Sequence, residues 1–188
     1  VLHVISTALY DNIAFKNVVV TGVILGTDGR KMSKNFGNYP DPKEMLEKYG
    51  GDALRLYLMG SPVMNGEDIL ISEDQYKDQV RSLMLTLWNV FNFFTSYANL
   101  DKWSPAAGTE YKVQSTDILD KWILARLKQT INLVTAGLEK YDSVSAVAGI
   151  KNFIGNDLSL WYIRRSRDRV GPAADSLKDK EAFYSTAY

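Results

Sequence analysis

The sequence predicts a mainly α protein: an antiparallel helical bundle preceded by a small α/β piece. Three observations predict it. From Ser72 onward, apolar residues recur every three or four positions through three long stretches, the pattern of amphipathic helices. Ahead of them, Val18 to Leu25 is rich in β-branched residues and runs into Asp28-Gly29, a tight-turn pair. Hydrophobic content of 46% and aromatic content of 12% over 188 residues suffice for a packed core.

In chain order, residues 1–10 read as the end of a helix that breaks at Asp11-Asn12. Strand character covers about 17–25, and an exposed loop follows. Asp41 is placed as an N-cap, Pro42 fits the first helical position, and Glu44 completes a capping box. That helix is expected to stop at Gly50 or Gly51, with a new one from Asp52 to Met59 ended by Gly60-Ser61-Pro62. Residues 61–71 read as a linker, so the domain boundary is set there: 1–62 and 63–188. Ser72 caps a long helix with Glu73 and Asp74 in its first turn. Its stripe of Tyr76, Val80, Leu83, Leu87, Phe91, Phe94 and Ala98 is expected in the core, with Leu85, Val90, Phe93 and Tyr97 making a second face apolar. Residues 99–116, with Pro105 and Gly108, read as an irregular connection. A second helix is expected from about Asp117 to Lys140, with a stripe of Leu119, Trp122, Leu127, Ile131, Val134 and Leu138. After the turn Tyr141-Asp142-Ser143, a third is expected to about Val170, with Val147, Ile150, Ile154, Leu158 and Trp161 on one side and Gly171-Pro172 as its stop. A fourth begins near Leu177. Such helices with modest connections make an antiparallel bundle.

Composition narrows the chemistry. With no cysteine, disulfides, zinc–thiolate sites and thiol catalysis are excluded, which fits a reducing compartment. The single histidine, His3, argues against a Ser-His-Asp triad or a multi-histidine metal site, and reads as a helix-surface or packing residue. Lys+Arg and Asp+Glu balance at 22 each, so a nucleic-acid surface would have to be a local patch. No apolar run is long enough to span a bilayer, and no signal peptide is visible.

Two such patches exist. The first is Gly29-Arg30-Lys31-Met32-Ser33-Lys34-Asn35, which holds three cations in five positions on a loop that the strand holds in place. Flexible ammonium groups on a short loop suit gripping a polyphosphate and the charge that develops on it during transfer. A basic surface turn after a hairpin is the plain alternative. The words Lys31-Met32-Ser33-Lys34 resemble the second signature of the class I aminoacyl-tRNA synthetases, with Asn35 in place of the usual fifth serine. Asp41-Pro42 and Gly51 to Leu58 are likewise the words that follow that signature in the family.

The second patch is 164–169, where Arg164, Arg165, Arg167 and Arg169 fall in six residues. Cations at a helix C-terminus gain ~0.3–1 kcal/mol each from the helix dipole. One or two would suffice for that, so four suggest a polyanion or a carboxylate network. The run from Leu158 to Arg167 resembles the anticodon-binding helical domain of the isoleucine branch of the family; the valine branch is the alternative, but it carries an acidic residue where Arg164 and Arg165 stand.

The resemblance covers nearly the whole chain and implies the following. The α/β piece is the end of a Rossmann-like catalytic domain, and the bundle is of the class I anticodon-binding type. The whole enzyme activates isoleucine with ATP, which brings Mg2+, and transfers it to tRNA(Ile). Lys31 and Lys34 neutralise the triphosphate, Met32 seats the loop on apolar surface, and Ser33 adds a hydroxyl contact. Arg164, Arg165 and Arg167 meet tRNA. A cytoplasmic monomer without a dedicated metal site is expected. The first class I signature, His-Ile-Gly-His or a variant, does not occur in the sequence. A piece cut from a longer, catalytically complete protein is therefore expected, inactive alone. A non-catalytic helical RNA-binding module, with the lysine loop as an RNA phosphate clamp, and a purely structural bundle are the competing readings.

Overall fold

The computed structural model describes residues 1–105, 115–172, 174 and 176–188. Part of the connection expected at 99–116, Gly108 included, lies outside the described residues. Helix α1 (Leu2–Tyr10) buries no side chain and ends on Asp11 in the left-handed conformation. His3 lies on it with its ring 5.7 Å from that of Phe15.

The strand expected over about 17–25 is much shorter. Strand β1 is Ile24–Leu25, and Val18, Val19 and Val20 stand exposed. β-Propensity is a fit to a pleated, packed surface, and it yields a strand only where a neighbour pairs. That neighbour is β2 (Ile69–Leu70), parallel to β1, with Ile24 opposite Ile69 and Leu25 opposite Leu70. Parallel strands need a crossover. Here it consists of the lysine loop, α2 (Pro42–Tyr49), α3 (Gly51–Met59) and a 3₁₀ turn, Pro62–Asn65. The expected linker thus carries a turn and a strand. Asp41 caps α2 through the Lys43 amide, without a return bond from Glu44. Gly50, at φ 84, lets α3 start one residue after α2 ends. Met45, Ala53, Tyr57 and Tyr76 form a small core here; the Tyr57 hydroxyl donates to Leu70 O and the Tyr76 hydroxyl to Gly50 O.

Ser72 caps α4 (Glu73–Gln79) through the Gln75 amide. The helix expected to continue unbroken widens into a π turn, Val80–Met84, before α5 (Leu85–Leu100). A wider turn advances less per residue than an α turn, so one 3.6-residue stripe does not stay on one side. Leu87 and Phe91, expected in the core, are 43% and 52% exposed, whereas Val90, Phe93, Phe94 and Tyr97 pack inward. Helix α6 (Ile118–Glu139) is capped by Asp117 and α7 (Ser143–Asn152) by Asp142. Leu127, Ile131 and Leu138 of α6 are also more exposed than their stripe implies.

The third helix differs from its expected form twice. Beyond α7 it runs on as a π-helix, Phe153–Ile163, and its helical hydrogen bonding ends near Arg165 rather than Val170. A 3₁₀ turn, Arg167–Arg169, follows, then an extended Val170 and Gly171 at φ 94. Helix α8 (Leu177–Ala187) starts at its Ser176 cap. The main core joins α5, α6, the π-helix and α8: Ala98, Ile123, Tyr162, Ile163, Val170, Phe183 and Tyr184 are buried together, with Tyr162 stacked on Phe183 at 5.8 Å. The two halves of the chain meet where the Ser143 hydroxyl donates to Met59 O and Val147 packs against Gly60. Among the described residues no helix is long and apolar enough to cross a membrane.

Candidate functional site

The lysine loop leaves the end of β1 and is folded by a small set of hydrogen bonds. Leu25 and Lys31 form an isolated antiparallel bridge, and Gly26 N–H donates to Arg30 O at 2.7 Å, closing a turn with Gly29 at φ 77. Asn38 then closes the loop from the inside. Its side chain is buried, Oδ1 accepts from the Ser33 amide at 3.0 Å, and Nδ2 donates to Asp28 Oδ1 at 2.8 Å and to Lys31 O at 3.4 Å. Its own carbonyl accepts from the Thr27 amide at 2.8 Å. A side chain on Gly26 would overlap Asn38, so the close approach requires glycine. The Asn38 donor, and after it the Arg30 amide, hold the Asp28 carboxyl below its usual range.

On this frame Lys31 and Lys34 are exposed, with no carboxylate partner among the described residues; Arg30 is exposed too, and its charge adds to the lowering of the Asp28 carboxyl. Met32 and Ser33 are half-buried, and the Ser33 hydroxyl accepts from the Asn35 amide at 3.3 Å. Two unpaired lysines on a backbone pinned by a buried amide form a positive surface that can receive a polyanion without first breaking an ion pair.

The four arginines of 164–169 divide between surface and interior. Arg164, Arg165 and Arg167 are exposed, and the Arg165 guanidinium lies 3.9 Å from the centre of the Trp161 ring. Arg169 turns inward. It grips Asp120 with two hydrogen bonds, Nη1 to Oδ1 at 2.6 Å and Nη2 to Oδ2 at 2.8 Å, and reaches Asp179 Oδ1 with Nε at 2.8 Å. Asp120 is fully buried and also accepts from the Tyr162 hydroxyl at 2.8 Å and the Ser115 hydroxyl at 2.5 Å. Burial pushes its carboxyl up, but the bonds from Arg169, Ser115 and Tyr162 outweigh that and hold it low. The Tyr162 hydroxyl is pushed far up by burial and by the Asp120 charge. So one arginine anchors the turn while three face solvent from it.

Sequence reasoning missed Asn38 and Asp120, and read Asp28 only as half of a tight-turn pair. Asn38 lies outside any periodic segment, so nothing in the pattern marks it. Asp120 did leave a sign, a carboxylate between Leu119 and Trp122 on the expected apolar stripe, where a charge must find a partner. Among the described residues no group of three or more histidine, aspartate or glutamate side chains is gathered as a metal site.

Comparison with known proteins finds two family matches along the chain. The family described as tRNA synthetases class I (I, L, M and V) matches residues 1–71, and the anticodon-binding domain of tRNA ligase matches residues 120–188. Isoleucine–tRNA ligases match over the whole chain: that of Leifsonia xyli is 40% identical over 189 residues, that of Thermus thermophilus 40% over 187, and that of Chlamydia muridarum 41% over 187. The chain spans 16–18% of the length of these relatives. Among solved structures, the leucine enzyme (LeuRS) of Agrobacterium radiobacter K84, in a ternary complex with tRNA and LeuAMS, has the same fold over 99% of this chain and 22% of its own, at a TM-score of 0.63 and 18% identity. The matches name one family for both ends of the chain: residues 1–71 belong with the class I tRNA synthetases and residues 120–188 with the anticodon-binding domain of tRNA ligases.

Proposed function

We propose that the chain supplies the triphosphate-gripping loop and part of the tRNA-binding bundle of an isoleucine–tRNA ligase. The full-length enzyme activates isoleucine with ATP, releases pyrophosphate, and passes the aminoacyl group to the terminal ribose of tRNA(Ile). Lys34, and with it Lys31, neutralises the triphosphate as negative charge moves onto the departing pyrophosphate. Magnesium enters with ATP as part of the substrate. Met32 and Ser33 hold the loop against its support. Residues 1–62 are assigned to the catalytic part and 63–188 to the bundle, whose exposed Arg164, Arg165 and Arg167 meet tRNA phosphates. The isoleucine pocket lies outside this chain. A cytoplasmic monomer is the form proposed.

The observation that carries this reading is the state of the two lysines, exposed and without carboxylate partners on a loop that buried hydrogen bonds fix. Preorganised donors aimed at developing charge are worth ~10²–10³-fold in kcat each. The test is isoleucine-dependent ATP–pyrophosphate exchange by the full-length protein. Lys34→Ala is expected to lower kcat by ~10²–10³-fold while leaving the KM for isoleucine close to the parent value. An unchanged kcat would remove the loop from the chemistry.

A further inference from the structure

The lysine loop contains a buried polar side chain that contacts no substrate in the proposed reaction and makes three hydrogen bonds: Asn38. We propose that Asn38 and Asp28 are a positioning pair, which holds the loop in the shape that lets Lys31 and Lys34 meet a triphosphate together.

An amide at position 38 meets three demands at once. One side chain must accept from the Ser33 amide and donate to both Asp28 and Lys31 O, and only a carboxamide carries acceptor and donors on one planar group. These bonds tie the backbone on both sides of Met32, so they set the spacing of the two lysines. Asp28 completes the clamp from the turn, since its Oδ1 receives both Asn38 Nδ2 and the Arg30 amide. Asp28 is ionised at neutral pH, which makes the Asn38 bond charge-assisted. Without the clamp each lysine would still be present, but the pair would wander. A reacting group misplaced by 1 Å can cost ~100-fold. The lysines are flexible enough to bind ATP from a loosened loop, so the loss falls on kcat more than on substrate affinity.

This rests on the reading of the loop given above, so the experiment separates the two. Full-length protein is assayed for isoleucine-dependent ATP–pyrophosphate exchange as Asn38→Asp, as the exchange variant Asp28→Asn/Asn38→Asp, and as Lys34→Ala. Asn38→Asp keeps the acceptor for Ser33 but sets two carboxylates against each other; kcat is expected to fall by ~100-fold with the KM for isoleucine within ~2-fold of the parent. The exchange variant reverses donor and acceptor across the 28–38 bond but gives up the bond to Lys31 O, so kcat is expected to recover in part, to within ~10-fold of the parent. A merely structural asparagine would lower thermal stability without this split or this rescue. Parent-like kcat in Asn38→Asp, or a loss that the exchange variant does not relieve, overturns the proposal. If Asn38→Asp fails to fold, the exchange variant alone decides, with a rate within ~10-fold of the parent in support and a ~100-fold loss against. Loss of exchange in Lys34→Ala with none in either asparagine variant leaves the lysine reading standing and removes only the positioning pair. No loss in Lys34→Ala removes both.

Discussion

At the scale of single residues, a fully buried carboxylate holds a turn in place. Asp120 has no exposure and its main partner, Arg169, is 11% exposed, with a two-pronged guanidinium contact between them. Removing one member of such a pair leaves a charge in a low-dielectric interior, which costs about 3–5 kcal/mol. Arg169→Leu is therefore expected to lower unfolding stability by about that amount, read from the urea midpoint. Arg169→Lys should recover only part of it, because an ammonium cannot make the paired contact. A loss under about 1 kcal/mol in Arg169→Leu would show that Tyr162 and Ser115 satisfy Asp120 by themselves. Four arginines in six residues already exceed what a helix end needs, and that excess is plain in the sequence. Which of them turns inward was not legible, because the deciding carboxylates lie 49 and 10 residues away. Lys31 and Lys34 were legible as cations on a turn; Asn38, which sets that turn, was not, since its role exists only once the loop has closed.

Elements were legible where local chemistry decides and illegible where packing does. Asp41 and Ser72 cap their helices as the sequence leads one to expect, and Asp117, Asp142 and Ser176, not expected as caps, do the same with their side chains. The two π segments carry no such sign; nothing in Val80–Met84 or Phe153–Ile163 departs from ordinary helical spacing. Val18 to Val20 read as strand from composition alone, and composition cannot supply the neighbouring strand. Docking between elements also has a titratable latch. Glu73, in the first turn of α4, accepts from the Tyr49 hydroxyl at 2.6 Å and from Lys48 Nζ at 2.9 Å, both on α2. The Tyr49 bond, then the Lys48 bond, pull its carboxyl from 4.5 down to about 2. A carboxyl with a depressed folded pKa stabilises the fold fully above its unfolded value and loses that contribution as pH falls toward the folded one. Urea midpoints should therefore drop between about pH 5 and about pH 3, and drop less in Glu73→Gln, which should also start lower at neutral pH. Because the glutamate is 38% exposed, the effect should shrink in high salt. Equal drops in parent and variant would mean that other carboxylates set the acid limb.

For the whole molecule, the arrangement ties the lysine loop to the helical bundle through one shared support. Helix α3 lies between them: α2, which follows the loop, packs beside it, while Ser143 and Val147 of α7 rest on its far end at Met59 and Gly60. The division into a small α/β piece and a helical bundle was legible in the sequence, because periodicity changes character near Ser72. The contact between them was not, as it joins residues 84 apart. The proposed function gives the two cationic patches different tasks, and the difference can be measured. Binding of labelled tRNA(Ile) to the full-length protein should weaken in the Arg164→Ala/Arg165→Ala double variant. The slope of log affinity against log salt should fall by about 2, one for each phosphate that an arginine no longer neutralises. Lys34→Ala should leave both affinity and slope at parent values, since its partner is the triphosphate of ATP. If the lysine variant weakened tRNA binding as much as the arginine pair, with the same fall in slope, the loop would be a second RNA clamp. The chain would then act as an RNA-binding module at both ends rather than as the meeting point of a nucleotide site and an RNA site.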